Sequence, residues 1–145
     1  MEEIKFKLKK EEFDKLNRDP NIGEGSINAS KTGKRAVELV KLYFLRKDPN
    51  CNFLIPGNGS DLEITCGNIT QRIEVKGTVD TKSAWAKLIV SGEPSHKLLE
   101  DGLPLYRVCG VYNDEPVIFI MQHGSDFEMV PEVRWRVKQI KKEKS

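Results

Sequence analysis

The chain has 145 residues, 38% of them hydrophobic, so it can build one domain with a real core and leaves little for a second. Lys and Arg (24) nearly balance Asp and Glu (22), so the net charge of +2 announces no polyanion partner at whole-molecule level, and local clusters must carry that argument. The start, Met1-Glu-Glu-Ile-Lys, has no apolar signal region and no stretch approaches membrane-spanning length, from which a soluble, cytoplasmic protein is expected.

Ile4, Phe6 and Leu8 alternate with lysines as in a short amphipathic strand, and Glu11–Arg18 has room for one or two helical turns before Pro20. Residues 1–22 read as an N-terminal arm, and Gly23-Glu-Gly-Ser26 as a connector into a domain over 23–130. Ser30 or Thr32 can cap a helix to about Arg46 or Lys47, whose apolar face is Ala36, Val37, Val40, Tyr43 and Phe44. Asp48-Pro-Asn50 stops it. Asn52–Ile55 is a short strand or a loop, and Pro56-Gly-Asn-Gly59 turns the chain toward Asp61.

Gly67-Asn68, flanked by β-branched and apolar runs, is a two-residue hairpin signal. With those residues as the loop, Cys66 faces Ile69, Leu62 faces Ile73, and Asp61 lands opposite Glu74. The period of two puts Leu62, Ile64, Ile73 and Val75 on one face and Asp61, Glu63, Arg72, Glu74 and Lys76 on the other. Glu63 and Arg72 can pair. Asp61 and Glu74 cannot, because opposed residues hold their Cβ atoms about 4.5–5.5 Å apart and like charges so placed are destabilising. A cation resolves the conflict, and Mg²⁺ takes carboxylate oxygens while leaving positions to water and phosphate. Lys76 would add a positive charge beside an attacking water or a developing oxyanion. An E-x-K triplet on a strand is otherwise ordinary surface charge; the opposed Asp61 is what separates the two readings.

Asp61 followed by Glu74-Val75-Lys76 resembles the PD-(D/E)XK nuclease superfamily. Ile73-Glu-Val-Lys-Gly-Thr78, Leu88-Ile-Val-Ser-Gly-Glu93 and a Tyr-bearing strand near Tyr106 look most like the nuclease-like domains related to Mrr-type restriction enzymes and to the C-terminal domain of the plant NO VEIN protein. Ser60 stands where the superfamily's name has Pro. The resemblance implies an α+β restriction-endonuclease-like core, a mixed sheet flanked by helices, and a metal-dependent nuclease acting on DNA. It implies Asp61, Glu74 and Lys76 as catalytic residues, and Mg²⁺ or Mn²⁺ held by Asp61, Glu74 and the Val75 carbonyl. Glu38, in the first long helix, would be a further metal ligand; an ion pair with Lys34 is its competing role. The same fold can also serve as a catalytically silent nucleic-acid-binding or scaffold module.

Gly77–Ser83 reads as a loop and Trp85–Val90 as a strand, with Lys82 and Lys87 as phosphate contacts or surface lysines. Ser91 can cap a helix over about Glu93–Asp101, closed by Gly102 and Pro104; Glu93 in its first turn complements the helix dipole. Strands follow at Leu105–Tyr112 and Pro116–Met121. In the tail, 131–145, Val133, Trp135 and Val137 alternate with Arg134, Arg136 and Lys138. Arg134 and Arg136 could grip a phosphate backbone while Trp135 stacks on a base; a solvated end with Trp135 packed on the domain is the other reading. Cys51, Cys66 and Cys109 have no close metal-ligand spacing, and their odd count suits a reducing compartment better than a disulfide scaffold. His96 and His123 stand alone, against a zinc site. Gly33-Lys34 is no phosphate loop, because Asn28 and Arg35 occupy the required Gly and hydroxyl positions. Cutting both strands of a duplex with one small site is awkward, which suits a homodimer or larger complex.

Overall fold

The computed structural model describes residues 1–57, 59, 61–81, 85 and 87–141. Six strands and three helices follow one another among them: β1 (Glu2–Lys5), α1 (Lys10–Arg18), α2 (Ala29–Lys47), β2 (Asn52–Leu54), β3 (Leu62–Cys66), β4 (Ile69–Thr78), α3 (Glu93–Glu100), β5 (Leu105–Cys109) and β6 (Val117–Met121). The strands form one mixed sheet in the order β1-β6-β5-β4-β3-β2. β4 and β5 run parallel and every other pairing is antiparallel. The parallel pair requires a crossover, and the segment carrying α3 supplies it.

Side-chain alternation divides the sheet into two faces, each with its own apolar cluster. Ile73, Val75, Tyr106, Val108 and Ile118 pack with Ala36, Leu39, Val40, Tyr43 and Phe44 of α2. Leu105 and Met121 face the other way and pack with Leu99 of α3. Gly77 sits where α2 crosses β4: a Cβ there would lie 2.7 Å from the Ala36 Cβ and 2.9 Å from the Thr32 carbonyl oxygen. No helix among the described residues is long and apolar enough to cross a membrane.

The stretch expected to be an arm is built into this fold. β1 pairs along β6, Phe6 and Leu8 donate their amides to Pro116 and Asp114, and Phe6, Leu8, Leu16 and Ile22 are core residues. The pairing joins residues more than a hundred positions apart, which local pattern does not reveal. The tail described to 141 forms no helix or strand and is exposed, with Trp135 90% accessible rather than packed on the domain.

Several boundaries move for identifiable reasons. The α2 cap is Asn28, whose side chain accepts the Lys31 amide at 2.9 Å, not Ser30 or Thr32. Asn28→Ala is expected to cost about 1 kcal/mol in urea unfolding, the usual worth of such a cap. The α3 cap is Gly92, with no side-chain bond from Ser91. β4 continues through Thr78 because β5 pairs with it there, and β5 ends at Cys109 because Gly110 turns at φ +61°. The strand expected over Trp85–Val90 is not formed by its described residues: Lys87 lies in the left-handed region at φ +54°, which ends any extended run, and Leu88 and Val90 instead pack under α3.

The cysteine expectation is also overturned. Cys51 and Cys66 form a disulfide, while Cys109 lies outside it and is buried. β2 pairs Asn52 with Thr65, so the next step of the register sets Cys51 against Cys66 although 15 positions separate them. Local cysteine spacing carries no sign of that.

Candidate metal and nucleic-acid site

The β3–β4 hairpin has the register read from its letters: Leu62 faces Ile73, Glu63 faces Arg72, and Cys66 faces Ile69. Gly67 takes φ +64°, the conformation a tight hairpin turn asks of glycine. The Asp61 amide donates to the Ile73 carbonyl at 3.0 Å, just beyond the last paired step Leu62–Ile73, and the Asp61 and Glu74 side chains meet at that end of the ladder. Glu63 and Arg72 pair loosely at 4.0 Å on the same face.

The two carboxylates have different surroundings. Asp61 Oδ2 accepts the Val75 amide at 2.9 Å, at the step where β4 runs past the end of β3 and that N–H would otherwise lack a partner. Glu74 is 2% exposed, and its carboxyl meets that of Asp61. Lys76 Nζ lies 3.6 Å from Glu74 Oε1. Burial, and then the Asp61 charge, push the Glu74 carboxyl up to about 8 against the weaker pull of Lys76. Lys76 therefore does not compensate the acidic pair, and without a further cation Glu74 keeps a proton at neutral pH.

A hard divalent cation fits these donors. Two carboxyl groups in contact, held together only while Glu74 keeps a proton, match the oxygen-only chemistry of Mg²⁺, which commonly takes one or two protein carboxylates and leaves its other positions to water and phosphate. The Val75 amide is tied to Asp61, so its main chain sits at the same step of the strand.

The remaining predicted residues are more dispersed. Glu38 bonds Lys41 at 3.1 Å, not Lys34, and among the described residues it does not join Asp61 and Glu74 in a compact three-ligand cluster. Lys82 lies outside the described residues. Lys87 and Arg136 are exposed, and Arg134 is held by Glu132 at 2.7 Å. Arg134 lines a groove of about 650 Å³ with Trp85, Leu88, His96, Phe127 and Met129, whose floor includes Leu105. Leu105 is the β5 partner of Glu74, so the groove and the acidic pair adjoin along one face of the sheet.

One charged residue escaped the sequence reading. Arg107 stands in register with Lys76 on the neighbouring strand, is 2% exposed, and donates from Nη1 to the Gly77 carbonyl at 3.3 Å. Burial lowers its guanidinium pKa. A cation inside the apolar run Leu105-Tyr-Arg-Val-Cys109 is the signal that could have found it, since buried arginines are held by specific partners.

Comparison with protein-family models, with curated proteins and with solved structures gives no match. The functional reading accordingly rests on the residues and their geometry.

Proposed function

We propose that this protein is a metal-dependent nuclease that hydrolyses phosphodiester bonds in DNA, with Asp61, Glu74 and Lys76 as its catalytic residues. The observation that carries the reading is the buried Glu74 carboxyl held against Asp61, with its pKa raised to about 8 by burial, by the Asp61 charge and by a side-chain hydrogen bond to Asp61. A strand whose purpose is only to pack has no reason to hold two acids together at that cost.

Asp61, Glu74 and the Val75 carbonyl would hold Mg²⁺ or Mn²⁺. Bound there, the ion supplies Lewis acidity toward the scissile phosphate and acidifies a coordinated water. The chain contributes the rest. Glu74, once deprotonated, provides fixed negative charge in a water-poor site, and the Val75 amide keeps Asp61 oriented toward it. Lys76, 27% exposed at its side chain, reaches from Glu74 toward solvent, where its ammonium can donate to the attacking water or to a phosphate oxygen as charge builds. Lys82, Lys87, Arg134 and Arg136 would contribute phosphate contacts, with Trp135 offering a stacking surface.

The test is cleavage of plasmid and single-stranded DNA with Mg²⁺, Mn²⁺ or EDTA. Metal-dependent cutting should fall about 10²–10³-fold in Lys76→Ala, the usual loss on removing one transition-state donor, and vanish in Glu74→Ala. Binding of DNA without cutting in any metal would make the protein a silent module of the same fold. No cutting, and no rise in melting temperature with metal, would sink the proposal.

A further inference from the structure

We infer that Asp48, Cys51 and Cys66 form a second, thiolate-based metal site for Zn²⁺, present when the Cys51–Cys66 bond is reduced and replaced by the disulfide when it is oxidised. This inference does not depend on the nuclease reading.

Asp48 and Cys51 share one turn, in which the Cys51 amide donates to the Asp48 carbonyl at 3.2 Å, and the pairing of β2 with β3 brings Cys66 to them. Asp48 follows the last turn of α2 and donates its amide to the Phe44 carbonyl, Cys51 immediately precedes β2, and Cys66 closes β3. A carboxylate oxygen of Asp48 and the two sulfurs lie within 4.8 Å of one another. Asp48 Oδ1 accepts the Asn50 amide at 3.0 Å, and the second oxygen has no partner among the described residues. Cys51 is 7% exposed and Cys66 is half-buried, so the cluster lies at the margin of the core, open on one side.

The donor set suits tetrahedral zinc once the sulfurs part. Two thiolates at about 2.3 Å from one ion stand about 3.8 Å apart, and a carboxylate oxygen joins at about 2.0–2.2 Å. The Cys51 and Cys66 Cα atoms are 4.3 Å apart across paired strands. Once the bond is cut, rotation about each Cα–Cβ bond can open the sulfurs to that separation while the ladder from Asn52–Thr65 to Leu54–Glu63 stays in place. Thiolates favour zinc over the hard cations expected at Asp61 and Glu74, so the two sites would sort metals by ligand type. Three protein ligands leave the fourth position to water or an outside ligand.

The redox step balances with a dithiol reductant. The dithiol gives two electrons and two protons; the S–S bond breaks, thiols form at Cys51 and Cys66, and the dithiol leaves as its own disulfide. Zinc binding then releases both thiol protons to solvent.

Co²⁺ serves as the probe, since thiolate ligation gives it an intense near-ultraviolet charge-transfer absorption that carboxylates do not. The full chain is reduced with a water-soluble phosphine and one water, which supplies the oxygen of the phosphine oxide and the protons of the two thiols. It is then titrated with Co²⁺ and back-titrated with Zn²⁺, with circular dichroism tracking the fold. A Glu74→Gln background removes the carboxylate site from the count. The expected result is one Co²⁺ per reduced chain with thiolate absorption, displaced by Zn²⁺, lost in the oxidised protein and in Cys66→Ser, and weakened in Asp48→Asn. Reduced protein that shows no thiolate absorption, keeps it in Cys66→Ser, or binds metal only after losing its fold overturns the inference. Asp48→Asn binding as tightly as the parent removes Asp48 from the ligand set and overturns the site as stated.

Discussion

Raising the pH from about 5 to about 8 in metal-free buffer lowers the stability of this protein by several kcal/mol, and Glu74→Gln removes most of that dependence. Glu74 is held at about 8 in the folded state against 4.5 ordinarily, because burial and the facing Asp61 charge penalise its ionised form. The folded chain keeps a proton that the unfolded chain has already released. Its contribution is therefore fully present below about 4.5 and is lost as the pH rises through about 8. At about 1.4 kcal/mol per pH unit, the gap sets an upper limit of about 5 kcal/mol. Urea unfolding at a series of pH values in EDTA measures it directly. A flat profile in the parent protein would mean that Glu74 is not buried against Asp61 as described.

The same linkage predicts the response to metal. A divalent ion between Asp61 and Glu74 favours the ionised pair, so millimolar Mg²⁺ or Mn²⁺ should raise the melting temperature of the parent and leave Glu74→Gln nearly unmoved. Metal binding should release close to one proton at neutral pH, visible as a buffer-dependent heat in calorimetry. This readout needs no DNA and tests the carboxylate pair even where the substrate is not the one supplied.

Gly77→Ala is expected to destabilise the protein by about 3 kcal/mol, at the upper end of what overpacking a tight core costs. The added methyl group would sit 2.7 Å from the Ala36 Cβ and 2.9 Å from the Thr32 carbonyl oxygen. Ala36 is fully buried, and the Thr32 carbonyl is helix backbone, so neither can swing aside. Relief requires α2 to move off the sheet. Ala36→Gly on top of Gly77→Ala should recover part of the loss, because it clears one of the two contacts and leaves the other. Denaturant midpoints for both variants decide this; a loss under about 1 kcal/mol in Gly77→Ala would show that α2 lies farther from β4. Gly77 directly follows Lys76, so the variant should also slow any metal-dependent cleavage.

The features legible from the residues alone are local ones. The hairpin register from Leu62–Ile73 to Cys66–Ile69 followed from one turn and a period of two. The α2 apolar face followed from helical spacing, and an α+β class followed from the order of elements. Each of these depends on residues within a few positions of one another, where backbone geometry leaves few choices.

Tertiary structure decided the rest, because it depends on which distant segments meet. β1 became an edge strand only by pairing with β6, and Cys51 met Cys66 only because β2 lies against β3. Arg107 joined the face of Lys76 only through the parallel pairing of β4 with β5. The burial of Glu74, from which its raised pKa follows, depends likewise on how the sheet is covered: a letter in a strand says which way a side chain points, and only packing says whether water reaches it.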